Sequence, residues 1–299
     1  MELRVLRYFL MVAQEESISA AANRLHVTQP TLSRQLIELE EELGAKLLNR
    51  GGRNKKITLT EEGIFLRRRA EEIIELADRT EADFAAPGAI ISGDVYIGAG
   101  ETDAMRILAR TAQALKKKYP NIRYHLYSGN ADDVSQRLDQ GLLDFGILIE
   151  PANIDKYDYI RLPVTDTWGL LMRRDHPLAE KACITPDDLS GVPLLVSRQS
   201  AVRDRLSAWA GREMEDLQIV ASYNLIYNAS IMVKEGLGCA LTLDKLIHTE
   251  SSELCFRPLS PKSEAYLDVV WKKYPVFTKA AEKFLEQLQA ELRSMEAHE

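Results

Sequence analysis

The sequence predicts a multidomain protein of mixed α+β and α/β class, with an N-terminal winged helix-turn-helix, a long linker helix and a two-lobed α/β domain. Three observations support this prediction. Helical patterns joined by tight turns occupy the first 44 residues, and a long helical pattern follows and ends at Pro87-Gly88. Strand and helix patterns alternate from residue 92 onwards. The length of 299 residues is typical of roughly two or three domains.

The first helix is predicted over residues 2–14 and the second, rich in alanine, over residues 19–25. The spacing places five apolar residues on the buried face of the first helix: Leu3, Leu6, Phe9, Leu10 and Ala13. Alanine in the second helix lets a neighbouring helix pack closely against it. Two short helices joined by a tight turn are therefore expected, with a third helix to follow.

The third helix is predicted to begin after Thr28, whose hydroxyl is a natural N-cap, and to end at Gly44. Pro30 falls in its first turn, where a missing N–H has no consequence. Four leucines form the predicted buried stripe: Leu32, Leu36, Leu39 and Leu43. Small polar residues and an arginine are left on another face of this helix.

The segment after Gly44 predicts a wing, with Ile57 and Leu59 in a short strand. Thr60 then caps a helix that runs to about Ala85. Six residues of this helix follow the four-three spacing of a two-stranded coiled coil: Leu66, Ala70, Ile73, Ala77, Thr80 and Phe84. Such a stripe either packs on its own domain or joins two chains, and we favour dimerisation.

From Ser92, strands and helices alternate and predict a mostly parallel sheet covered by helices. The first unit contains the strands GDVYIGAG, IRYHLY and DFGILI, with a helix from Thr102 to Lys118 and another that Asn130 caps. A second unit is expected from about Pro163, with the strands GLLMRR, PLLVSR and QIVAS. YLDVVW and a final helix over 277–295 are predicted to return to the first unit. Two lobes joined by crossing strands would leave a cleft between them.

The charge distribution indicates a local site for a polyanion despite a net charge of −7. Residues 1–60 hold nine basic and seven acidic side chains, whereas the remainder holds 29 and 38. Charges further apart than about 8 Å are screened at physiological salt, so local potential decides binding. Residues 43–56 carry five basic side chains and no acidic one: Lys46, Arg50, Arg53, Lys55 and Lys56.

Composition argues against several other classes. No apolar run reaches about 18 residues and the N-terminus lacks the pattern of a signal peptide, so we expect a cytoplasmic protein without membrane contact. Cys183, Cys239 and Cys255 form no metal-ligand spacing with the histidines, so neither a metal nor a cofactor is predicted. Buried thiols are favoured over a redox-sensing pair.

Residues 1–60 resemble the LysR-type transcriptional regulators. The segment AANRLHVTQPTLSRQLIELEEELGAKLLNR matches that family's motif A-A-x-x-L-x-V-T-Q-P-x-L-S, and ITLTEEG matches its wing-to-linker junction. Further on, YPNIRYHLYSGNADDVSQRLDQGLLDFGILI, RRDHPLA, DDLSGVPLL and VKEGLGCAL are similar to its ligand-sensing domain. The chain departs from the family at Asn49, where an aromatic residue is usual, and at Thr242, near a frequent proline.

The resemblance implies three domains. Residues 1–60 would form a winged helix-turn-helix DNA-binding domain with the helix-turn-helix at about 18–37, and residues 61–86 a coiled-coil dimerisation helix. Residues 90–299 would form a two-lobed effector-binding domain of the periplasmic-binding-protein type, with lobe I at about 91–162 and 265–299 and lobe II at about 163–264. The implied partners are double-stranded promoter DNA, a small-molecule effector and the chain itself, as a homodimer or dimer of dimers that bends DNA. RNA polymerase is a further partner that the sequence leaves open.

The DNA-binding residues are expected at the start of the third helix and in the wing. Arg34 can donate two hydrogen bonds to guanine, Gln29 can pair with adenine, and the Pro30 ring can touch a thymine methyl. Ser33 shares the same face, while Thr28 and Thr31, with Arg50 and Arg53, are expected to reach phosphates. For Lys55 and Lys56, a merely solvated wing is an equal alternative.

The effector-binding residues are expected in loops at the carboxyl ends of strands, where helix N-termini point into the cleft. The candidates are Gly100, Glu101, Thr102, Ser128, Gly129, Asn130, Ile149, Ser197, Arg198 and Asn224. Each loop could equally be simple helix capping. Glu101 and Asp103 oppose an anionic ligand and Arg198 could counter them, so the sequence leaves the ligand's charge open.

Rival functions leave part of the chain unexplained. An enzyme is disfavoured because no G-x-S-x-G, S-x-x-K, H-E-x-x-H or Walker motif occurs, and no catalytic residue is predicted. The loop Gly98-x-Gly100 lacks the third glycine of a dinucleotide site. A solute-binding protein would explain residues 92–299 but not the N-terminal third. A winged-helix regulator of another family would leave the two-lobed domain unexplained.

Overall fold

The computed structural model describes residues 1–49, 56–85 and 91–296. The chain divides into two compact units, Met1–Ala85 and Ala86–Glu299, which are described separately. No helix within the described ranges is long and apolar enough to cross a membrane.

The first unit contains helices α1 (Leu3–Glu15), α2 (Ile18–Arg24), α3 (Gln29–Leu43) and α4 (Glu61–Ala85), with a hairpin of β1 (Leu48–Asn49) and β2 (Thr58–Leu59). Ser17 and Thr28 cap α2 and α3 by accepting backbone N–H groups. His26 takes up the left-handed conformation in the turn between these helices, with φ of 53°. Gly44 ends α3 at φ of 65°, as predicted.

The buried face of α1 differs from the predicted one. Phe9 and Leu6 are buried, but they are joined by Val5 and Val12, while Leu3 is 41% exposed. The buried face of α1 extends beyond the predicted stripe because α1 packs against both α3 and α4. In α3, Leu32, Leu36 and Leu39 are buried as predicted, but Leu43 lies in the last turn and is 41% exposed.

Helix α4 has the predicted bounds and Thr60 caps it, accepting the Gly63 N–H at 2.9 Å. The predicted dimerisation stripe is wrong in its first half, because Leu66 and Ala70 are buried in the core of their own unit. Ile73 of the predicted stripe is 37% exposed, and further exposed apolar side chains lie away from that stripe at Ile64, Phe65 and Leu76. The side chain of Phe84 lies outside the described residues, as do Pro87 and Gly88.

The second unit is built on strands β3 (Gly93–Ala99), β4 (Ile122–Ser128), β5 (Phe145–Ile149), β6 (Tyr157–Arg173), β7 (Leu194–Ser197), β8 (Ile219–Tyr223), β9 (Cys239–Leu243), β10 (Leu254–Pro258) and β11 (Glu264–Lys272). Its helices are α5 (Met105–Lys118), α6 (Ala131–Asp139), α7 (Ser200–Ala210), α8 (Ile226–Lys234) and α9 (Lys279–Glu296). Short 3-10 turns occur at Pro177–Glu180, Pro186–Leu189 and Met214–Asp216.

Among the described residues, these strands form one sheet in the order β4-β3-β5-β11-β6-β9-β7-β8, and β10 also pairs with β6. Strand pairs at the two ends are parallel, as predicted, but the centre is antiparallel because β6 and β11 run through both halves. The strand GLLMRR, predicted in the unit that was expected from about Pro163, is the last part of the longer continuous strand Tyr157–Arg173. Pro163 lies where the register between β6 and β11 shifts, which suits a residue without an N–H.

Separate apolar cores form on either side of the cleft. One lies among α5, α9 and the strands β3, β5 and β11, around Phe145 and Phe284. The other lies in the half that contains α7, around Leu170, Leu194 and Leu206. We refer to these halves as lobe I and lobe II, with β6 passing from the first to the second.

Candidate nucleic-acid interface and ligand cleft

The start of α3 presents a polar surface to solvent. Gln29, Pro30, Thr31 and Arg34 are exposed, and Ser33 is half-buried. The Thr28 hydroxyl accepts the Thr31 N–H at 3.3 Å and lies 2.8 Å from the Thr31 hydroxyl. These side chains share one end of the helix because Leu32 and Leu36 hold its opposite face in the core.

Arg34 is held in place by an acidic neighbour one turn further on. Its Nε donates to Glu38 Oε1 at 2.7 Å, and Gln35 donates to the other carboxylate oxygen of Glu38 at 2.6 Å. The Arg34 side chain is still 81% exposed, so the rest of its guanidinium group is available for hydrogen bonds to a ligand. Arginine with free planar donors can contact either guanine or phosphate.

The wing is fixed to α3 by a buried carboxylate that the sequence reasoning missed. Glu40 is 3% exposed and accepts the backbone N–H groups of Leu47 and Leu48 at 2.9 and 3.2 Å. On the other side, Gly63 of α4 packs so close to Leu47 that a Cβ atom would lie 2.1 Å from the Leu47 carbonyl oxygen. The predicted phosphate-binding residues Arg50 and Arg53, and Lys55, lie outside the described residues. Lys56 is described and pairs with Glu16 at 2.5 Å.

A cleft of about 590 Å³, including its open mouth, lies between the lobes. It is lined from lobe I by Gly100, Glu101, Asn130, Ala131, Ile147, Ile149 and Glu150, and from lobe II by Ser197, Gln199, Val202, Tyr223, Asn224, Leu225, Ile226, Leu243 and Leu246, together with Trp168 and Thr242.

The structure brings six of the predicted effector residues together in this lining: Gly100, Glu101, Asn130, Ile149, Ser197 and Asn224. Four others do not line it. Thr102 is buried and donates to Asp166 Oδ2 at 2.7 Å, because it joins lobe I to the crossing strand. Ser128 and Gly129 precede the lining residue Asn130, and the Arg198 guanidinium lies 3.7 Å from the carboxylate of Asp133 in α6.

Asn130 and Glu101 cap helices that point into the cleft. The Asn130 side chain accepts the Asp133 N–H of α6 at 3.0 Å, and Asp133 completes a capping box. Glu101 reaches from lobe I to accept the Ile226 N–H at the start of α8 in lobe II. The α8 N-cap, Leu225, has no capping side chain, so Glu101 supplies that interaction across the cleft.

Buried polar groups line the cleft and its rear wall. Tyr223 donates to the Leu241 carbonyl oxygen, and burial raises the pKa of its phenol, so it remains a neutral donor. Burial also raises the pKa of Asp166, an effect that the Thr102 hydrogen bond partly offsets. Trp168, Tyr223 and Thr242 were not predicted: Tyr223 and Thr242 lie at or next to strand ends, whereas Trp168 lies inside the long strand β6 and gave no local signal.

Two of the three cysteines have the buried thiols that the sequence favours, whereas Cys183 is half-buried. Cys239 and Cys255 are buried, and burial raises the pKa of the Cys239 thiol to about 11, which disfavours the reactive thiolate. Within the residues that the structure describes, no three His, Cys, Asp or Glu side chains are grouped as metal ligands.

Two family models match the chain and together span most of it. The bacterial regulatory helix-turn-helix protein model of the lysR family matches residues 3–64, and the LysR substrate binding domain model matches residues 90–293. The chain belongs to the LysR family of transcriptional regulators, with a helix-turn-helix DNA-binding domain and an effector-binding domain.

Curated relatives agree with this assignment. An uncharacterised HTH-type transcriptional regulator, YvbU of Bacillus subtilis (strain 168), is 31% identical over 245 residues, 81% of each chain. The dual regulator OxyR of Escherichia coli (strain K12) is 31% identical over 197 residues, 66% of this chain and 63% of OxyR. The Hca operon activator HcaR of the same strain is 28% identical over 279 residues, 91% of this chain and 92% of HcaR.

Solved structures share the fold. Full-length CbnR in complex with its target DNA has a TM-score of 0.74 at 22% identity, covering 97% of this chain and all (100%) of CbnR. Full-length BenM has a TM-score of 0.54 at 24% identity, covering 100% of this chain and 97% of BenM.

Proposed function

We propose that the chain is a promoter-binding regulator whose DNA contacts come from the start of α3 and from the wing, and whose activity responds to a small molecule in the interlobe cleft. The observation that carries this proposal is the exposed polar end of α3, where Arg34 and Gln29 project beside a capped first turn. The family assignment and the DNA complex of CbnR support it.

In this proposal, Arg34, Gln29 and Pro30 contact base edges, Ser33 assists, and Thr28 and Thr31 reach phosphates. Arg50 and Arg53 add phosphate contacts from the wing. The domain boundaries are proposed at 1–60, 61–86 and 90–299, with lobe I at about 91–162 and 265–299 and lobe II at about 163–264. The observed units and the extents of the two family matches are consistent with these boundaries.

Effector binding is proposed to change the lobe arrangement. Glu101 and the Ile226 N–H already connect the lobes, so a ligand in the cleft competes with this contact or reinforces it. A ligand that prefers one lobe arrangement shifts the population towards it, and a few kcal/mol of preference is enough. DNA bending and contact with RNA polymerase would then change with the packing of subunits.

Self-association is proposed to cover the exposed apolar side of α4. Phe65 and Leu76 lie about three turns apart on that side, 65% and 42% exposed, with Ile73 nearby. A second copy of the chain would remove these side chains from water, giving a homodimer or a dimer of dimers. We propose that the protein acts on chromosomal DNA in the cytoplasm, as a regulator and not as an enzyme.

The test is salt-dependent binding of the purified chain to its own upstream region. Fluorescence anisotropy should show a specific complex whose affinity falls with salt, and sedimentation should show a dimer or tetramer at the same concentration. Leu76→Asp should dissociate the oligomer and weaken DNA binding, whereas Glu72→Asp on the same helix should do neither. Equal affinity for upstream and scrambled DNA would contradict the proposal.

A further inference from the structure

The cleft has an acidic lining. Among the lining residues that the structure describes, Glu101 and Glu150 carry charge, and both are acidic. Glu150 is paired with Arg161 at 2.6 Å, and Arg161 is itself bound to Asp268 at 3.0 Å. Among the described residues, Glu101 accepts the Ile226 N–H and forms no ion pair, and Arg198 lies outside the lining beside Asp133. An anion in this cleft would therefore lie near a carboxylate that no basic side chain of the described residues pairs with.

The helix N-termini at the cleft are largely occupied by the protein's own acceptors. Asn130 caps α6, and the carboxylate of Glu101 lies at the start of α8, where a bound anion would otherwise be favoured. The N-terminus of α7 has no side-chain cap, although Ser197 accepts the Gln199 N–H just before it. The polar groups that remain suit a ligand with donors and without negative charge.

A second cavity adjoins the cleft. Its empty space, including the part open to solvent, is about 390 Å³; it lies in lobe II and shares Trp168, Ser197 and Val202 with the cleft lining. The remaining wall is mostly apolar, formed by Val196, Leu206, Trp209, Leu241 and Leu259 with Ser263, Arg203 and Arg205. The Arg205 guanidinium donates to the Glu264 carbonyl oxygen, and Arg203 is exposed to solvent. We call this cavity the chamber.

Trp168 lies at the junction and has an unsatisfied polar atom. Its indole N–H is buried and has no hydrogen-bond partner among the described residues. A buried donor without a partner costs free energy that an acceptor atom on a ligand would recover. The Trp209 indole in the same wall, by contrast, donates to the Pro261 carbonyl oxygen at 2.8 Å.

We propose that the cleft and the chamber form one bipartite site for an amphipathic effector with an apolar or aromatic end and an uncharged or cationic head group. The apolar end fills the chamber, where it is removed from water, and the head group faces Glu101. A hydroxyl or other acceptor between them pairs with the Trp168 N–H. The inference rests on the proposed role of the cleft as the effector site and specifies the class of ligand.

The test uses three probes with one skeleton and different head groups: 3-phenylpropylamine, 3-phenylpropanol and 3-phenylpropionate. Binding to the full chain is measured by titration calorimetry. The amine should bind most tightly, the alcohol next and the acid weakest, with a difference of roughly tenfold or more between amine and acid. Glu101→Gln retains an acceptor for the Ile226 N–H and should remove most of the difference between amine and alcohol.

Variants of α7 test the chamber. Val202→Phe places a ring where the cleft and the chamber share a lining residue, and it should weaken the binding of all three probes by a similar factor. Ala201→Phe adds the same ring at an exposed neighbouring position and should leave the probe affinities unchanged. If Val202→Phe does not fold, saturation-transfer NMR on the unaltered chain provides a second readout. The phenyl protons should then receive more saturation than the methylene beside the head group.

Tighter or equal binding of the acid would overturn the proposal, and so would the absence of binding by all three probes at millimolar concentration. Either outcome would overturn the inferred ligand class without contradicting the proposal that the chain is a DNA-binding regulator. Specific DNA binding that Arg34→Ala abolishes, without probe binding, would leave the proposed regulator and remove only the inferred ligand class.

Discussion

The carboxylate of Glu40, in the last turns of the recognition helix, accepts the backbone N–H of Leu47 at 2.9 Å. The same oxygen accepts the Leu48 N–H at 3.2 Å, immediately before the wing. A buried charge is tolerated here because backbone donors solvate it in place of water. Glu40 therefore fixes the start of the wing to the end of α3.

Replacing Glu40 should destabilise the N-terminal unit. Glu40→Ala leaves two buried N–H groups without this acceptor, at a cost of about 1–3 kcal/mol each. The unfolding temperature of the N-terminal unit should fall, and the affinity of the chain for DNA should fall with it. Glu42→Ala, an exposed position on the same helix, is the control. Equal stability of the two variants would show that solvent replaces the Glu40 contacts.

Gly63 should tolerate no side chain. A Cβ atom there would lie 2.1 Å from the Leu47 carbonyl oxygen, and a backbone atom cannot move away as a flexible side chain can. We expect Gly63→Ala to cost about 1–3 kcal/mol or more in unfolding free energy. Glu62→Ala in the same helical turn should be nearly neutral. Chemical denaturation of both variants measures the difference, and an unaltered midpoint for Gly63→Ala would refute the close approach.

Arg34 should determine base preference. Arg34→Ala is expected to cost roughly 1–3 kcal/mol of specific binding and to remove preference at one base position. Arg34→Lys keeps the charge but lacks the planar fork of donors, so it should retain nonspecific affinity and lose discrimination. Binding to a set of singly substituted operators measures both effects. Equal losses on specific and scrambled DNA would remove Arg34 from base recognition.

Arg50 should act on DNA of any sequence. If it contacts a phosphate, Arg50→Ala weakens specific and scrambled complexes alike and reduces the slope of log K against log salt by about 0.9. Arg110→Ala, an exposed arginine of α5, is the matched control and should leave the slope unchanged. An unchanged slope for Arg50→Ala would place the phosphate contacts of the wing elsewhere.

Asp166 should make stability depend on pH. Burial raises the pKa of this carboxyl group, so the folded chain retains a proton that the unfolded chain releases above its ordinary pKa of about 4. The unfolding free energy then decreases as pH rises through that window. Asp166→Asn keeps an acceptor for the Thr102 hydroxyl and removes the free-energy cost of burying the charged carboxylate.

Asp166→Asn should therefore raise the unfolding temperature of the C-terminal unit at pH 7, with the gain vanishing near about pH 4. Asp268→Asn is the contrasting variant, because Asp268 is equally buried but accepts two hydrogen bonds from Arg161 at 3.0 and 3.1 Å. It should destabilise the same transition. Thermal melts over a pH series compare them, and a loss of stability for Asp166→Asn at pH 7 would contradict the assignment.

Local signals in the sequence predicted the helix-turn-helix well. Thr28 and Gly44 act within a few residues of themselves, through a cap and a left-handed turn, so their effects can be deduced without the fold. The same holds for Asn130, whose capping box on α6 is complete. Six of the ten predicted cleft residues also line the cleft. They could be predicted because the alternation of strands and helices shows where each strand ends, and ligands bind at the carboxyl ends of such strands.

Errors occurred where burial depends on distant parts of the chain. Leu66 and Ala70 have coiled-coil spacing, yet α1 and neighbouring helices cover them. Thr102 lies in a cleft-like loop, but its hydroxyl is bound to Asp166, 64 residues further on. Periodicity shows which residues share a face, and it does not show what covers that face.

The amino-acid sequence by itself determined the order of elements, the family and the residues at the start of the recognition helix, because caps, turns and periodic apolar stripes are local. Tertiary structure decided that Glu40 holds the wing, that Glu101 reaches across the cleft to Ile226, and that Trp168 lines two cavities. These relationships join residues far apart in the chain, and their energies come from burial and from donors that only the folded backbone brings together.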